Sequence, residues 1–117
     1  MPIQHPIREQ IALGEGLQLD FKQTIQNPRK IAKSMVSFAN TMGGDLLIGV
    51  RDNGSIAGIK SEDEMHMLEL AASFHCRPEV AYVVEEIEIE GKIILKAHIP
   101  KGKDKPYYSR GDDDKWW

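Results

Sequence analysis

The sequence has a single cysteine, Cys76, in 117 residues. That excludes a disulfide framework and a cysteine-cluster zinc site, and it makes a reducing cytoplasm the expected compartment. No stretch approaches the ~18 apolar residues of a membrane-spanning helix. The opening Met1-Pro-Ile-Gln-His-Pro-Ile-Arg8 lacks the basic cap and apolar block of a secretory leader, so none is expected. The string Gly-x-x-x-x-Gly-Lys-Ser/Thr is missing, which excludes a nucleotide P-loop. The histidines at 5, 66, 75 and 98 show no metal-ligand spacing, and no Ser-His-Asp arrangement stands out. Internal repeats and low-complexity tracts are also missing.

What is present is the composition of one ordinary domain: 41% hydrophobic and 28% charged residues. A chain of this length can bury roughly two-thirds of its unfolded surface. The net charge of −3 rules out a uniformly basic coat. The charge is segregated, however. Residues 1–60 hold seven bases and five acids, residues 61–90 one base and nine acids, and residues 91–117 seven bases and four acids. Two basic ends flank an acidic middle, and a local positive face is compatible with a negative total.

The periodicities predict an α/β (α+β) fold, with a mixed β-sheet and two main helices. A short lead-in helix places Ile7, Ile11 and Ala12 on one side and stops at Gly14 and Gly16. Residues 17–22 alternate, with Leu17, Leu19 and Phe21 facing one way and Gln18, Asp20 and Lys22 the other. Asn27-Pro28 starts a helix expected over 28–42, with Ile31, Met35, Phe38, Ala39 and Met42 on its apolar face. Gly43-Gly44 ends it. Asp45-Leu-Leu-Ile-Gly-Val50 reads as a strand buried on both faces. A tight turn at 52–54 and a short strand over 55–59 follow. Ser61 and Glu64 suggest a capping box for a second helix carrying Met65, Leu68, Ala72 and Cys76 inward, halted by Pro78. Residues 80–90 and 92–99 form an expected hairpin, with glutamates facing lysines. Last comes the basic, tyrosine-bearing stretch Lys101-Gly-Lys-Asp-Lys-Pro-Tyr-Tyr-Ser-Arg-Gly111.

Two groups of cations suggest contact with a polyanion. Lys22, Arg29, Lys30 and Lys33 gather near the first main helix. Lys92, Lys96, Lys101, Lys103, Lys105 and Arg110 come late, with Tyr107 and Tyr108 among them as rings able to stack on bases. Asn40 and Thr41 add hydrogen-bonding groups at the helix end. The plainer reading is a solvated, lysine-rich loop. The paired glycines allow close backbone approach, which suits a phosphate or a simple helix-to-strand connection.

Glu15-Gly-Leu-Gln-Leu-Asp-Phe-Lys22, Ser37-Phe-Ala-Asn-Thr41, Gly43-Gly44, Ile48-Gly-Val50, Asp52, Gly54, Gly58, Pro100, Gly102, Pro106 and Tyr107 occur in this order. Over about residues 15 to 110 the chain thereby resembles the Schlafen AlbA-like domain, found in bacterial transcriptional regulators and in Schlafen proteins. Two positions depart from that pattern: Asp20 stands for a glutamate, and Arg51 for the first aspartate of a pair. The resemblance implies a Schlafen AlbA-like fold and a domain that binds nucleic acid, with DNA the first expectation. Its contact residues would be Lys22, Arg29, Lys30, Lys33, Asn40, Thr41, Lys103, Lys105, Tyr107 and Arg110. No cofactor is needed for that role.

The resemblance also implies an alternative. In Schlafen ribonucleases three carboxylates act around a divalent metal, and by motif they fall on Glu15, Asp20 and Asp52 here, with Mg²⁺ or Mn²⁺ as cofactor. As plain residues, Asp52 is equally a turn former, Glu15 a loop acid, and Asp20 a partner for Lys22 or Lys33. A third reading is a protein-interaction or dimerisation module, favoured by the acidic middle. A homodimer is expected in either binding role, and a membrane partner is not. Residues 1–117 are expected to be one such domain, the N-terminal part of a longer protein, with Trp116-Trp117 leading into a further strand.

Overall fold

In the computed structural model, residues 6–111 and 115–116 are described. Pro6–Leu13 form α1, Leu19–Lys22 β1, Pro28–Asn40 α2, Gly44–Ile48 β2, Ser61–Phe74 α3, Cys76–Arg77 β3, Val83–Ile89 β4, Lys92–Ile99 β5 and Tyr108–Ser109 β6. Alternation along β1 sends Leu19 and Phe21 to one face of the sheet. Asp20 turns to the other, where Ser34 of α2 donates to it at 3.1 Å. The run Leu46-Leu47-Ile48 is buried throughout because β2 is interior in a four-stranded sheet of order β1-β2-β5-β4. β1 and β2 are parallel, joined by α2, and the other pairings are antiparallel. The α+β class and mixed sheet expected from the sequence are present.

Each face of the sheet has its own apolar layer. On one, Leu46, Ile48, Leu95 and Ile99 meet Ile31, Met35, Phe38 of α2 and Leu68 of α3. On the other, Leu47, Ile87, Ile89 and Ile94 meet Ile7 and Ile11 of α1. α1 is thus a covering element and not merely a lead-in. β3 and β6 pair as a separate two-stranded ribbon beside α2 and α3. Among the described residues no helix is long and apolar enough to cross a membrane.

Several local expectations change. Leu17 is 95% exposed, because Gly16 and Leu19 bond to each other across a tight turn and the strand starts only at Leu19. α2 stops at Asn40, and Met42 is 68% exposed, because the N–H groups of Thr41 and Gly43 both close on Phe38 C=O. The strand expected over 55–59 is a single bridge between Val50 and Ile56. The Ser61–Glu64 capping box does not form; Ser61 donates to Glu86, and Glu64 is turned inward to a different partner. In the β4–β5 hairpin, Glu85 against Lys96 is the one glutamate–lysine pair directly opposed among the described residues.

The Gly43-Gly44 corner is a point of close approach between main chain and its neighbours. Gly43 has φ +81°, and a Cβ there would lie 2.7 Å from Ile99 O and 2.9 Å from Lys101 N. A Cβ on Gly44 would lie 2.5 Å from the Phe38 ring. Gly43→Ala combines a left-handed backbone with a collision against main chain that cannot rotate away. It is expected to cost about 2–3 kcal/mol, measured by urea unfolding; a loss below about 0.5 kcal/mol would show that the corner relaxes freely.

Candidate functional site

The first cationic group surrounds the start of α2. Asn27 accepts from Arg29 N–H at 3.0 Å and Pro28 takes the first helical position, so the positive end of the helix dipole points at the β1–α2 connection. A cleft of about 380 Å³ opens there, its walls including Lys22, Gln23, Thr24, Gln26 and Lys30. Its polarity has a counterweight. Lys22 Nζ lies 3.3 Å from Asp20. The buried Glu64 of α3 accepts from Thr24 Oγ1 at 2.7 Å and Ile25 N–H at 2.8 Å, which fixes the connection from beneath. Lys30 and Lys33 are exposed, while the Arg29 guanidinium donates to Gly111 C=O at 2.5 Å.

That last bond links the two cationic groups. After β5 the chain is anchored at the other end of α2, where Gly102 N–H donates to Ala39 C=O at 2.8 Å. Asn40 then grips Tyr107 on both sides: its Nδ2 donates to Tyr107 C=O at 3.0 Å and its Oδ1 accepts from Tyr107 N–H at 2.7 Å. Residues 102–111 therefore run back along α2, from its C-terminal to its N-terminal end. From first to last residue, the thirteen residues of α2 span about 18 Å, at a rise of ~1.5 Å between successive residues. Lys103 and Lys105 are exposed at one end of this ridge, Lys30 at the other and Lys33 between. Among the acids, the glutamates of β4 lie on the sheet edge opposite β1, but the first turn of α3, with Glu62 and Asp63 exposed, is close to the cleft through Glu64.

Three of the residues singled out from the sequence have structural roles. Tyr107 is only 6% exposed, and its hydroxyl accepts from Asp104 N–H at 3.2 Å, so its ring is held inside the loop rather than offered for stacking. The exposed tyrosine is Tyr108. Asn40 is engaged by Tyr107. Thr41 Oγ1 donates to Ser37 C=O at 2.8 Å and caps the helix. Arg110 lies with its guanidinium 5.6 Å from the Phe74 ring centre.

The carboxylates do not assemble. Glu15 accepts from Phe21 N–H at 2.9 Å, ahead of β1. Asp20 is shared by Lys22 and Ser34. Asp52 is exposed in the turn beyond the far end of the parallel β1–β2 pair. Glu15 and Asp20 do line one cavity, of about 310 Å³, without Asp52. Among the described residues no three Asp, Glu, His or Cys side chains come together as metal ligands. The residues present do not fit the divalent metal that the Schlafen resemblance implies. Cys76 is buried, and burial pushes its thiol up from 9.0 to about 12, away from the thiolate form.

One polar centre escaped the sequence reading. Asp45 accepts from Gln10 of α1 at 2.5 Å, lies 2.8 Å from His98 Nδ1 and is 3.9 Å from Lys96 Nζ. It ties α1 to the sheet. The only signal was an acid at the head of an otherwise apolar strand.

A family model described as Schlafen, AlbA_2 matches residues 15–117. Among solved structures, the fold is similar to the N-terminal domain of an ATP-dependent DNA helicase RecG-related protein from Nitrosomonas europaea. The TM-score is 0.69 at 18% identity, over 91% of this chain and 79% of that one. It is also similar to the DIP2311 protein from Corynebacterium diphtheriae, with TM-score 0.62 at 20% identity. That match takes in 92% of this chain but only 23% of the other, so this chain spans about a quarter of that protein.

Asn40→Ala removes both bonds to Tyr107 and is expected to destabilise the protein by about 1–3 kcal/mol, read by thermal unfolding; a change within about 0.5 kcal/mol would show that the loop is held elsewhere. Millimolar Mn²⁺ is expected to leave the unfolding midpoint unchanged in both the wild type and Asp52→Ala. A metal-induced rise that disappears in Asp52→Ala would show that the three carboxylates do converge.

Proposed function

The chain belongs to the Schlafen AlbA_2 family, and from that premise we propose that it is a nucleic-acid-binding module, DNA being its first target, acting within a cytoplasmic transcriptional regulator. The observation that carries this reading is the return of residues 102–111 along α2. The return brings two cationic stretches, far apart in sequence, to the two ends of one helix, and the reading takes their lysines as one ridge. Lysines spaced along roughly 18 Å match several successive phosphates, since duplex DNA carries a charge about every 1.7 Å of its axis. The relation of the Nitrosomonas europaea domain to a DNA helicase supports the same setting.

Lys22, Lys30, Lys33, Lys103 and Lys105 supply the phosphate contacts in this reading. Arg29 and Arg110 contribute charge while also holding the C-terminal segment. Thr41 borders the ridge at its far end. Such contacts give affinity without sequence preference, driven by counterion release. The reading includes a homodimer. Support comes from Leu13 and Met42, exposed apolar side chains lining the cavity between α1 and the Gly43-Gly44 corner.

Binding to a short duplex is expected to weaken linearly in log–log salt, by about 0.9 per phosphate neutralised. Lys103→Glu with Lys105→Glu is expected to lower affinity on the order of tenfold and to flatten the slope by about 2. Fluorescence anisotropy at several salt concentrations measures both. A slope near zero would remove the phosphate-driven reading.

A further inference from the structure

The β3–β6 ribbon has a buried side and an outer side. Cys76 and Ser109, opposite one another in register, are buried against the domain. Alternation then places Arg77 and Tyr108 on the outer side, with Arg110 half-buried just beyond β6. Trp116 returns to this face by bridging to Arg110, and Gly111 N–H donates to Lys115 C=O at 2.8 Å. The result is a row of alternating rings and guanidinium groups. Tyr108 stands opposite Arg77, whose Cζ is 4.5 Å from the centre of the Trp116 ring. Arg110, next to Trp116, lies over Phe74 at the end of α3. Phe74 is 58% exposed and Tyr108 43%.

We propose that this outer face of the β3–β6 ribbon is a stacking platform for unpaired bases, so that the preferred ligand is a single strand or an opened end rather than closed duplex. The inference rests on the nucleic-acid reading above and adds to it the state of the strand. Aromatic rings and guanidinium planes both stack on base faces. Base faces are hidden in a duplex and accessible in a single strand. The platform also joins the phosphate ridge directly, because Arg29 of α2 bonds to Gly111, the neighbour of Arg110. Stacking on the platform adds affinity with little salt dependence, while the lysine ridge supplies the salt-sensitive part.

The test compares a thymidine oligonucleotide with a blunt duplex of the same length, by anisotropy, using the full chain. In Phe74→Leu with Tyr108→Leu, single-strand affinity is expected to fall on the order of tenfold or more. Duplex affinity should stay within about twofold and the salt slope should be unchanged. Trp116→Leu, which leaves the ribbon itself intact, is expected to act in the same direction and serves if the double variant does not fold. If wild-type protein binds both ligands and the ring variants bind as well as wild type, the platform is overturned while the phosphate ridge stands, and the face belongs to a protein partner. Equal losses for both ligands would also overturn it, because stacking on unpaired bases would not be what was lost. Binding of neither ligand by wild-type protein would overturn the nucleic-acid reading itself.

Discussion

The grip of Asn40 on Tyr107 decides what this domain presents to its surroundings. Two hydrogen bonds from one side chain satisfy both backbone groups of Tyr107, and they do so at the end of α2, where the helix has just run out of intrahelical partners. With that point fixed, the rest of the chain has to pass along α2, and the Arg29–Gly111 bond closes the other end. The lysine ridge and the aromatic ribbon both follow from this path. Neither would exist if residues 101–111 left the domain after β5.

Beneath the ridge, charge is managed by burial and pairing. Glu64 belongs to the acidic first turn of α3, yet it faces inward and its two oxygens each accept a hydrogen bond from the β1–α2 connection. A buried carboxylate without those donors would be strongly unfavourable. Here it instead shapes the loop next to Lys22 and Lys30. The glutamates of β4 are carried to the far edge of the sheet. A chain with an overall charge of −3 thereby keeps the β4 glutamates on the sheet edge opposite β1 and Lys22.

Much of the fold was legible because burial leaves periodic marks. The alternation of β1, the double-sided burial of β2, the Asn27-Pro28 start and the hairpin of β4 and β5 all repeat at the period of their element. The errors lie where a side chain's partner is distant in sequence. Glu64 looked like a local cap for Ser61 and instead reaches Thr24, forty residues away. Asn40 and Tyr107, singled out as ligand contacts, hold each other across 67 positions, a bond that no local spacing announces. Phe74 and Arg77 carry no pattern, and Trp116 reads only as the lead into a further strand, since the pairing of β3 with β6 is what brings the three together. Asp52 kept its place in the motif without being brought to Glu15 and Asp20.

The short stretch between Gly102 and Tyr107 is fastened at both ends to the same turn of α2, through Ala39 and Asn40. Whatever lies between those fastenings contributes little to the core. Its lysines can therefore be exchanged, or the stretch lengthened, with little cost to the scaffold beneath.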